Sequence, residues 1–126
     1  MADAMKIALS GMRLQETRVT VAADNIANVR SGAPAPKDGE SYQGYEAKTV
    51  EGTSQVGGGV IPSIRNVDPS YVLAPGYEQG TTEALPNVDL ANEAATLMTA
   101  EKMYEANAKV IKTQDELDKS LLDIMS

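Results

Sequence analysis

The placement of proline and glycine divides the 126-residue chain into three segments. All six prolines and nine of the ten glycines lie between Ser31 and Val88. The flanking residues 1–30 and 89–126 contain a single glycine and no proline, so little in them breaks a helix. We therefore expect a mainly α protein. Its long helices, over 1–30 and 89–126, would pack in a coiled-coil-like layer beside a loop-rich middle, residues 31–88, with short β-strands.

Apolar residues of the N-terminal segment fall on two faces of the predicted helix. One row follows steps of three, four and seven residues and comprises Met5, Ala8, Leu9, Met12, Val19, Ala22, Ile26 and Val29. A second row on a different face comprises Ile7, Gly11, Leu14 and Val21. A helix that is apolar on two faces needs two partners. Because few residues remain to wrap it, we expect another molecule to cover one face. The alternative is a central helix covered by its own chain.

The C-terminal segment begins with a helix-start signal and continues as a long amphipathic stripe. Pro86 precedes Asn87-Val88-Asp89, where Asn87 or Asp89 can cap the free amides of the first turn. The apolar stripe has near-heptad spacing and then slips by one residue: Leu90, Ala94, Leu97, Tyr104, Ala108 and Ile111, followed by Val110, Leu117, Leu121 and Ile124. A helix of about 35 residues spans about 50 Å, which is longer than a small globule readily buries.

The middle segment predicts at most one small hairpin or sheet. Its β-prone stretches are residues 41–51, 60–67 and 71–73. The triplet Gly57-Gly58-Gly59 separates the first two and suits a hairpin loop or a bulge. This triplet lacks the Gly-Lys-Ser/Thr ending of a phosphate-binding loop, and no helix is predicted after it. Residues 31–39 are small, proline-containing and polar, and are predicted to form an exposed loop.

Composition argues against most kinds of enzyme. The chain has no cysteine and no histidine, which removes thiol and imidazole chemistry, Cys/His zinc sites and disulfides. A formal charge of −7 opposes binding to nucleic acid or anionic lipid, and no apolar run of about 18 residues predicts a membrane span. Asp115, Glu116 and Asp118 lie at helical spacing from Lys112 and Lys119, which predicts surface ion pairs. We expect no catalytic residue, cofactor, metal site, nucleic-acid partner or membrane insertion.

Two short motifs at opposite ends of the chain carry a family resemblance. Residues 23–28, Ala-Asp-Asn-Ile-Ala-Asn, resemble the signature near the N-terminus of flagellar basal-body rod and hook proteins. Residues 86–111, which begin Pro-Asn-Val-Asp-Leu-Ala-Asn-Glu, resemble the C-terminal motif of the same family. With their helices, the motifs cover roughly half of the chain. Only 58 residues separate the two helices, and this brevity is similar to the proximal-rod members.

The resemblance implies a structural subunit of the flagellar proximal rod, which lies in the basal body and spans the periplasm. Such subunits are exported through the flagellar type III apparatus and polymerise through their terminal helices into a drive shaft that transmits torque. The implied partners are copies of itself, other rod proteins, adaptor proteins at the membrane ring and export gate, and the export apparatus. Another class of proximal-rod subunit, and a small helical flagellar adaptor or export chaperone, remain alternatives. A carboxylate-dependent hydrolase is a further rival without positive support.

The resemblance also assigns roles to individual residues. Asn25, Ile26 and Asn28 would end the first helix, and Asn87, Val88 and Asp89 would start the last. The residues expected in subunit packing are Ile7, Leu14, Val21, Asn25, Ile26, Asn28, Asn87, Val88, Asp89, Leu97, Tyr104, Asn107, Ile111 and Leu121.

Overall fold

Two long helices enclose a β-containing middle in the computed structural model, which describes residues 2–126. Helix α1 spans Ala2–Ala27 and helix α2 spans Leu90–Met125. Five strands lie between them: β1 Ala33–Pro34, β2 Lys48–Ser54, β3 Val60–Asn66, β4 Tyr71–Pro75 and β5 Thr82–Pro86. The predicted mainly α class is confirmed. Met1, the first residue of the predicted N-terminal helix, lies outside the described residues.

The two helices pack against each other in antiparallel orientation. Gly11 of α1 faces Asn107 of α2, and Asn25 of α1 donates a hydrogen bond to Glu93 of α2. The second pair lies fourteen residues from the first on both helices, from 11 to 25 on α1 and from 107 back to 93 on α2. An equal advance along both helices indicates a regular pairing over this length, as in a coiled coil.

Small and polar residues, spaced by seven, form the helix-pair interface. On α1 the buried residues include Ala8, Gln15 and Ala22, and the buried residues of α2 are Ala100 and Gln114. The predicted apolar row had placed Leu9 and Val19 with Ala8 and Ala22, but these two side chains are 42% and 41% exposed. Small side chains let two helix backbones approach closely, so the alanines lie inside the interface with Gln15 and Gln114, whereas the larger apolar Leu9 and Val19 lie outside.

The hairpin of β2 and β3 covers part of the second apolar face of α1. The strands pair antiparallel from Lys48 opposite Asn66 to Ser54 opposite Val60, and the glycine triplet forms the turn, as predicted. Leu14 is buried against Gly52, where an added Cβ would lie 2.7 Å from a Leu14 methyl carbon. At Leu14 this face is therefore covered by its own chain, which is the alternative given above. Ile7, on the same row, remains 43% exposed.

The middle holds more β-structure than predicted. A second sheet has the strand order β1-β5-β4, with both pairs antiparallel. Strand β5 was not predicted, and β1 lies inside the segment expected to be a loop. Residues 41–47, expected to start a strand, are irregular instead. Short strands such as these form because a neighbouring chain segment supplies hydrogen-bond partners, which local sequence does not reveal.

Candidate assembly site

The side chain of Asn25 joins the end of α1 to two other parts of the molecule. Asn25 is fully buried, and its Nδ2 donates to the Lys48 carbonyl oxygen at 2.7 Å and to Glu93 Oε1 at 2.9 Å. Its Oδ1 accepts from the Tyr45 hydroxyl at 2.8 Å and from the Lys48 backbone N–H at 3.1 Å. Both amide hydrogens and both lone pairs of the oxygen are thus used. One side chain fixes α1, the start of β2 and the first turn of α2 relative to one another.

Tyr45 completes this cluster from the irregular segment before β2. Its hydroxyl lies 2.8 Å from Asn25 Oδ1 and 3.2 Å from Asp24 Oδ2, so a single hydrogen is shared between two acceptors. Burial, the hydrogen bond to Asp24 and the charges of Asp24 and Glu93 together raise the pKa of Tyr45 to about 12. The hydroxyl therefore remains a donor throughout the physiological pH range.

Asn28 lies at the C-terminal end of α1 and makes only local bonds. Its Nδ2 donates to the Asp24 carbonyl oxygen at 3.0 Å and to Asp24 Oδ1 at 2.9 Å. The Ser31 hydroxyl in turn donates to Asn28 Oδ1 at 3.0 Å. Satisfying the last carbonyls in this way ends the helix without a left-handed glycine. Asn25 and Asn28, three residues apart in one motif, thus make different kinds of contact.

The start of α2 is held by two residues that have separate tasks. Asp89 is the N-cap, and its carboxylate accepts from the backbone N–H groups of Ala91 at 3.0 Å and Asn92 at 3.2 Å. Asn87 does not cap the helix. Its Nδ2 donates instead to the Pro69 carbonyl oxygen at 2.9 Å, which ties the helix entry to the segment before β4. Between them, Val88 is half-buried.

Asn107 lies directly over Gly11 in the helix-pair interface. An added Cβ at Gly11 would come within 2.7 Å of both terminal atoms of the Asn107 amide. The Asn107 Nδ2 donates to the Met103 carbonyl oxygen at 2.9 Å, which holds the side chain along its own helix. Gly11 is therefore a point of close approach, where a side chain on α1 would push the helices apart or displace Asn107.

The remaining residues of the predicted set lie along the two helices with varied exposure. Half-buried members are Val21, Ile26, Leu97 and Ile111, whereas Ile7, Tyr104 and Leu121 are exposed. On α2, the buried positions are Ala100 and Gln114, which flank the predicted stripe. The structure thus gathers Asn25, Asn28, Asn87, Val88 and Asp89 near the helix ends and distributes the others along the helix pair.

Four residues of the site were missed by sequence reasoning. Tyr45 and Glu93 bond Asn25 or its neighbour from 20 and 68 residues away, and no local pattern reveals such pairs. Gln15 and Gln114 are buried in the helix-pair interface. Their signal was available, because Gln15 lies seven residues from both Ala8 and Ala22, and Gln114 lies seven residues after Asn107.

The carboxylate cluster of α2 makes the surface contacts predicted for it. Lys119 Nζ lies 2.7 Å from Asp115 Oδ2, and Lys112 Nζ lies 3.9 Å from Glu116 Oε1, with all four side chains largely exposed. Asp118 accepts from Gln114 at 3.0 Å. Among residues 2–126, no group of three or more acidic side chains is arranged to hold a metal ion. Neither α1 nor α2 is apolar enough over its described length to cross a membrane.

Comparison with known proteins identifies the family. The family described as "Flagellar basal body rod FlgEFG protein C-terminal" matches residues 78–124, which include all but the last residue of α2. The chain is similar to the flagellar basal-body rod protein FlgC of Agrobacterium fabrum, with 31% identity covering 97% of this chain and 93% of that protein. FlgC of Escherichia coli O6:H1 is also 31% identical, and the match covers 85% of this chain and 84% of that protein.

Chain length separates these FlgC relatives from a longer rod protein of another class. FlgC of Borreliella burgdorferi is 26% identical, and the match covers 98% of this chain and 96% of that protein. The rod protein FlgG of Caulobacter vibrioides is 29% identical, but the match covers only 41% of that longer protein. The near-complete matches carry the FlgC name, which favours this class over FlgB, another proximal-rod class, and over an adaptor or chaperone. The chain belongs to the family of the flagellar basal-body rod protein FlgC.

Proposed function

We propose that this chain is a subunit of the flagellar proximal rod and polymerises through α1 and α2 with copies of itself and with other rod proteins. The assembled shaft transmits torque across the periplasm. The role of the chain is mechanical, and no catalytic residue is assigned to it.

This proposal rests on which side chains lie in the helix-pair interface and which lie on the outer surface. The interface uses Ala8, Gln15, Ala22, Ala100 and Gln114. Large apolar side chains are instead exposed along both helices, and they include Ile7, Leu9, Val19, Met98, Met103, Val110, Leu117, Leu122 and Ile124. Extended apolar surface on a small protein marks a site of association. Contacts between unlike surfaces of identical subunits generate an open helical array, which is the geometry of a shaft.

The fourteen residues expected in packing would then act in four ways. Asn25, Asn28, Asn87, Val88 and Asp89 fix the helix ends and so set the angle at which the helix pair meets its neighbours. Ile7, Tyr104 and Leu121 are exposed and would contact neighbouring subunits directly. Leu14 packs on the hairpin, and Asn107 on Gly11, inside one subunit. Val21, Ile26, Leu97 and Ile111 are half-buried and would pack within one subunit and between subunits.

Export and docking at the rod base complete the proposal. The chain would pass through the flagellar type III apparatus and meet adaptor proteins at the membrane ring and export gate. The absence of cysteine suits this route, because no disulfide can form that would obstruct passage of an unfolded chain.

Electron microscopy of basal bodies from a clean deletion strain tests the function. We expect membrane rings without rod or hook, and the intact gene should restore both. Complete rods and hooks in the deletion strain would contradict the proposal. An adaptor or chaperone role would then lead, and a stable dimer of the purified protein in sedimentation would support it.

A further inference from the structure

Each helix carries a row of polar residues on the side turned away from the helix-pair interface. On α1, Lys6, Arg13 and Thr20 are spaced by seven and lie about half a turn from Gly11, which faces α2. The row on α2 has the same spacing, lies about half a turn from Asn107, and consists of Lys102, Lys109, Glu116 and Asp123. All of these side chains are exposed. We call the two surfaces the outer faces of α1 and α2. They lie on opposite sides of the helix pair, so they cannot meet within one chain.

The outer face of α1 is basic near its N-terminus and acidic further along. Lys6 and Arg13 come first, and Glu16 and Asp24 follow on the same side of the helix. Within residues 2–126, none of these four side chains forms a salt bridge. The Asp24 carboxylate accepts hydrogen bonds from its own chain but meets no cation there. Four exposed charges of α1 are thus left without an opposite charge.

The outer face of α2 has the complementary order when the helix is followed from its C-terminus. Two acids, Asp123 and Glu116, come first, and three bases follow: Lys112, Lys109 and Lys102. Lys112 and Glu116 approach each other only to 3.9 Å, and their side chains remain 78% and 63% exposed. An antiparallel α1 from another molecule would therefore place its bases near acids and its acids near bases.

We infer that the outer face of α2 in one copy packs antiparallel on the outer face of α1 in a second copy, so that the helix pairs lie side by side in a layer. The inference rests on the proposed function and names the partner of these two surfaces. When Arg13 lies opposite Glu116, Lys6 of the same helix lies opposite Asp123, because both rows repeat every seven residues. One register thus satisfies both bases of the α1 row.

The acids of α1 find bases in the same register. Glu16 lies opposite Lys112 on one edge of the contact, and Asp24 lies near Lys102 on the other edge. The contact is therefore flanked on both edges by opposite charges. Such complementarity selects one register among those that an antiparallel pair could adopt.

The remaining charges of the α2 outer face meet no charge of the same sign directly opposite. Glu105 lies opposite Ala23 of the second copy. Lys119 lies opposite Leu9 and already pairs with Asp115 of its own helix at 2.7 Å. The register thus brings opposite charges together without opposing like charges.

The same register covers a part of α2 that has no partner in its own chain. Gly11 lies level with Asn107, so Ala2 lies level with about residue 116, and residues 117–125 of α2 extend beyond α1. In the contact between copies, Ala2 of the second copy lies level with the C-terminal end of α2. The second copy is displaced by about ten residues, or about 15 Å, along the helix axis. Its α1 thus lies beside α2 along its whole length.

The contact can repeat from copy to copy. Each copy has one α1 outer face and one α2 outer face on opposite sides, so the contact is heterologous and generates an open series. Exposed ion pairs contribute little energy individually. Their role here is to set the register, and the exposed apolar side chains outside these two faces remain available to further neighbours.

Paired cysteines test the contact directly, because the natural chain has none. Cells would express full-length Thr20→Cys/Lys109→Cys in place of the natural chain, and purified basal bodies would be oxidised and analysed by electrophoresis without reductant. Thr20 and Lys109 lie opposite each other in the inferred register, and neither belongs to the four charge pairs. We expect disulfide-linked dimers and higher multimers, and neither single variant should form them.

Thr20→Cys/Met98→Cys is the matched control for the register. Met98 is 69% exposed on the same face of α2, but it lies eleven residues from Lys109, or about 16 Å along the helix. This pair should form no links. Equal linking by both pairs would mean that the contact has no fixed register and would overturn the inference.

Charge reversal supplies an independent measurement. On the Thr20→Cys/Lys109→Cys background, Glu16→Lys should reduce the linked fraction severalfold, and adding Lys112→Glu should restore it. If the cysteine variant does not enter basal bodies, motility of the two charge variants without cysteines decides. Glu16→Lys should then lower motility and the double change should restore it, and failure to restore would overturn the inference.

The outcomes separate this contact from the proposed function. If the cysteine variant is present in basal bodies but forms no links, the inference is overturned and the proposed function stands. Another rod protein, or none, would then cover the two outer faces. Absence of the natural chain from purified basal bodies would overturn both.

Discussion

Asn25 and Asn28 show how one short motif can carry two physical roles. Asn25 is fully buried and bonds three distant residues, whereas the bonds of Asn28 reach only Asp24 and Ser31. A buried amide is costly to remove because its partners lose hydrogen bonds and cannot regain water. A partly exposed amide is cheap to remove because water replaces it. The two positions should therefore respond differently to the same substitution.

Replacing Asn25 by alanine should destabilise the protein by about 2–4 kcal/mol, because the Lys48 backbone groups and the Glu93 carboxylate lose a buried partner. Asn28→Ala, the matched control, should cost less than about 1 kcal/mol. Urea unfolding followed by circular dichroism measures both values. Equal losses at the two positions would contradict the central role assigned to Asn25.

Tyr45 should make stability depend on pH in the alkaline range. Its pKa rises from an ordinary 10.0 to about 12 in the folded protein. Between these values the unfolded chain loses the hydroxyl proton first, so stability falls as pH rises from 10 towards 12, and the contribution is fully present below pH 10. Urea midpoints measured from about pH 8 upwards should fall less steeply for Tyr45→Phe than for the natural chain.

Tyr77→Phe is the control for this pH dependence, since Tyr77 is 96% exposed. It should retain the alkaline slope of the natural chain. If Tyr45→Phe also retains the full slope, the assignment of the slope to Tyr45 is wrong.

The helix pair is built around small and polar residues. Ala8, Ala22 and Ala100 are buried, and Gly11 lies against the Asn107 side chain. Each contributes little apolar area, so the pair gains less from hydrophobic burial than a leucine-lined coiled coil does. A close approach of the two backbones takes the place of large side chains. The geometry of the pair should therefore be sensitive to added volume at this interface.

A double-mutant cycle tests this close approach. Gly11→Ala should stabilise the protein by about 1 kcal/mol when residue 107 is also alanine, because alanine favours helix over glycine. With Asn107 present, the new methyl group meets the amide, and this gain should be lost or reversed. The coupling between the positions should reach about 1–2 kcal/mol in urea unfolding. Additive effects would mean that Gly11 and Asn107 are not in close contact.

The whole molecule combines a specific internal interface with an apolar exterior. Large apolar residues remain exposed over α1 and α2. A monomer in solution gains no stability from these exposed side chains, whereas an assembly buries them. Long helices gain most of their stability from packing, so the subunit should become more rigid on assembly.

Charges introduced on α2 should block assembly. Leu97→Asp and Ile111→Asp place a carboxylate at half-buried apolar positions, where a charge is costly once neighbours exclude water. Both variants should remain soluble and helical by circular dichroism but should be absent from purified basal bodies, and cells should lose motility. Thr113→Asp, at an exposed position two residues from Ile111, should assemble normally. Normal motility with either apolar-to-aspartate change would contradict a packing role.

Local sequence was enough to predict the helices and their order. Proline and glycine confine irregular structure to residues 31–88, and the side chain of Asp89 caps α2 from its own first turn. The predicted turn at residues 57–59 follows from the same chemistry, because these glycines adopt positive φ angles. These features depend on neighbours within a few residues, so they can be predicted from the sequence alone. The motif around Asn25 was also visible, although its bonding partners were not.

Tertiary structure decided which faces meet. Leu9 and Val19 were predicted to share a row with Ala8 and Ala22, yet the helix pair buries the alanines and Gln15 and leaves both larger residues exposed. Strand β5 exists because β1 and β4 pair with it on either side. Tyr45, Lys48 and Glu93 reach Asn25 only after the chain has folded back. Local sequence therefore determined where the helices begin and end. The close approach of the two helix backbones and the pairing of distant strands determined which side chains are buried. Local sequence could not predict these contacts, because each of them joins two segments that are far apart in the chain.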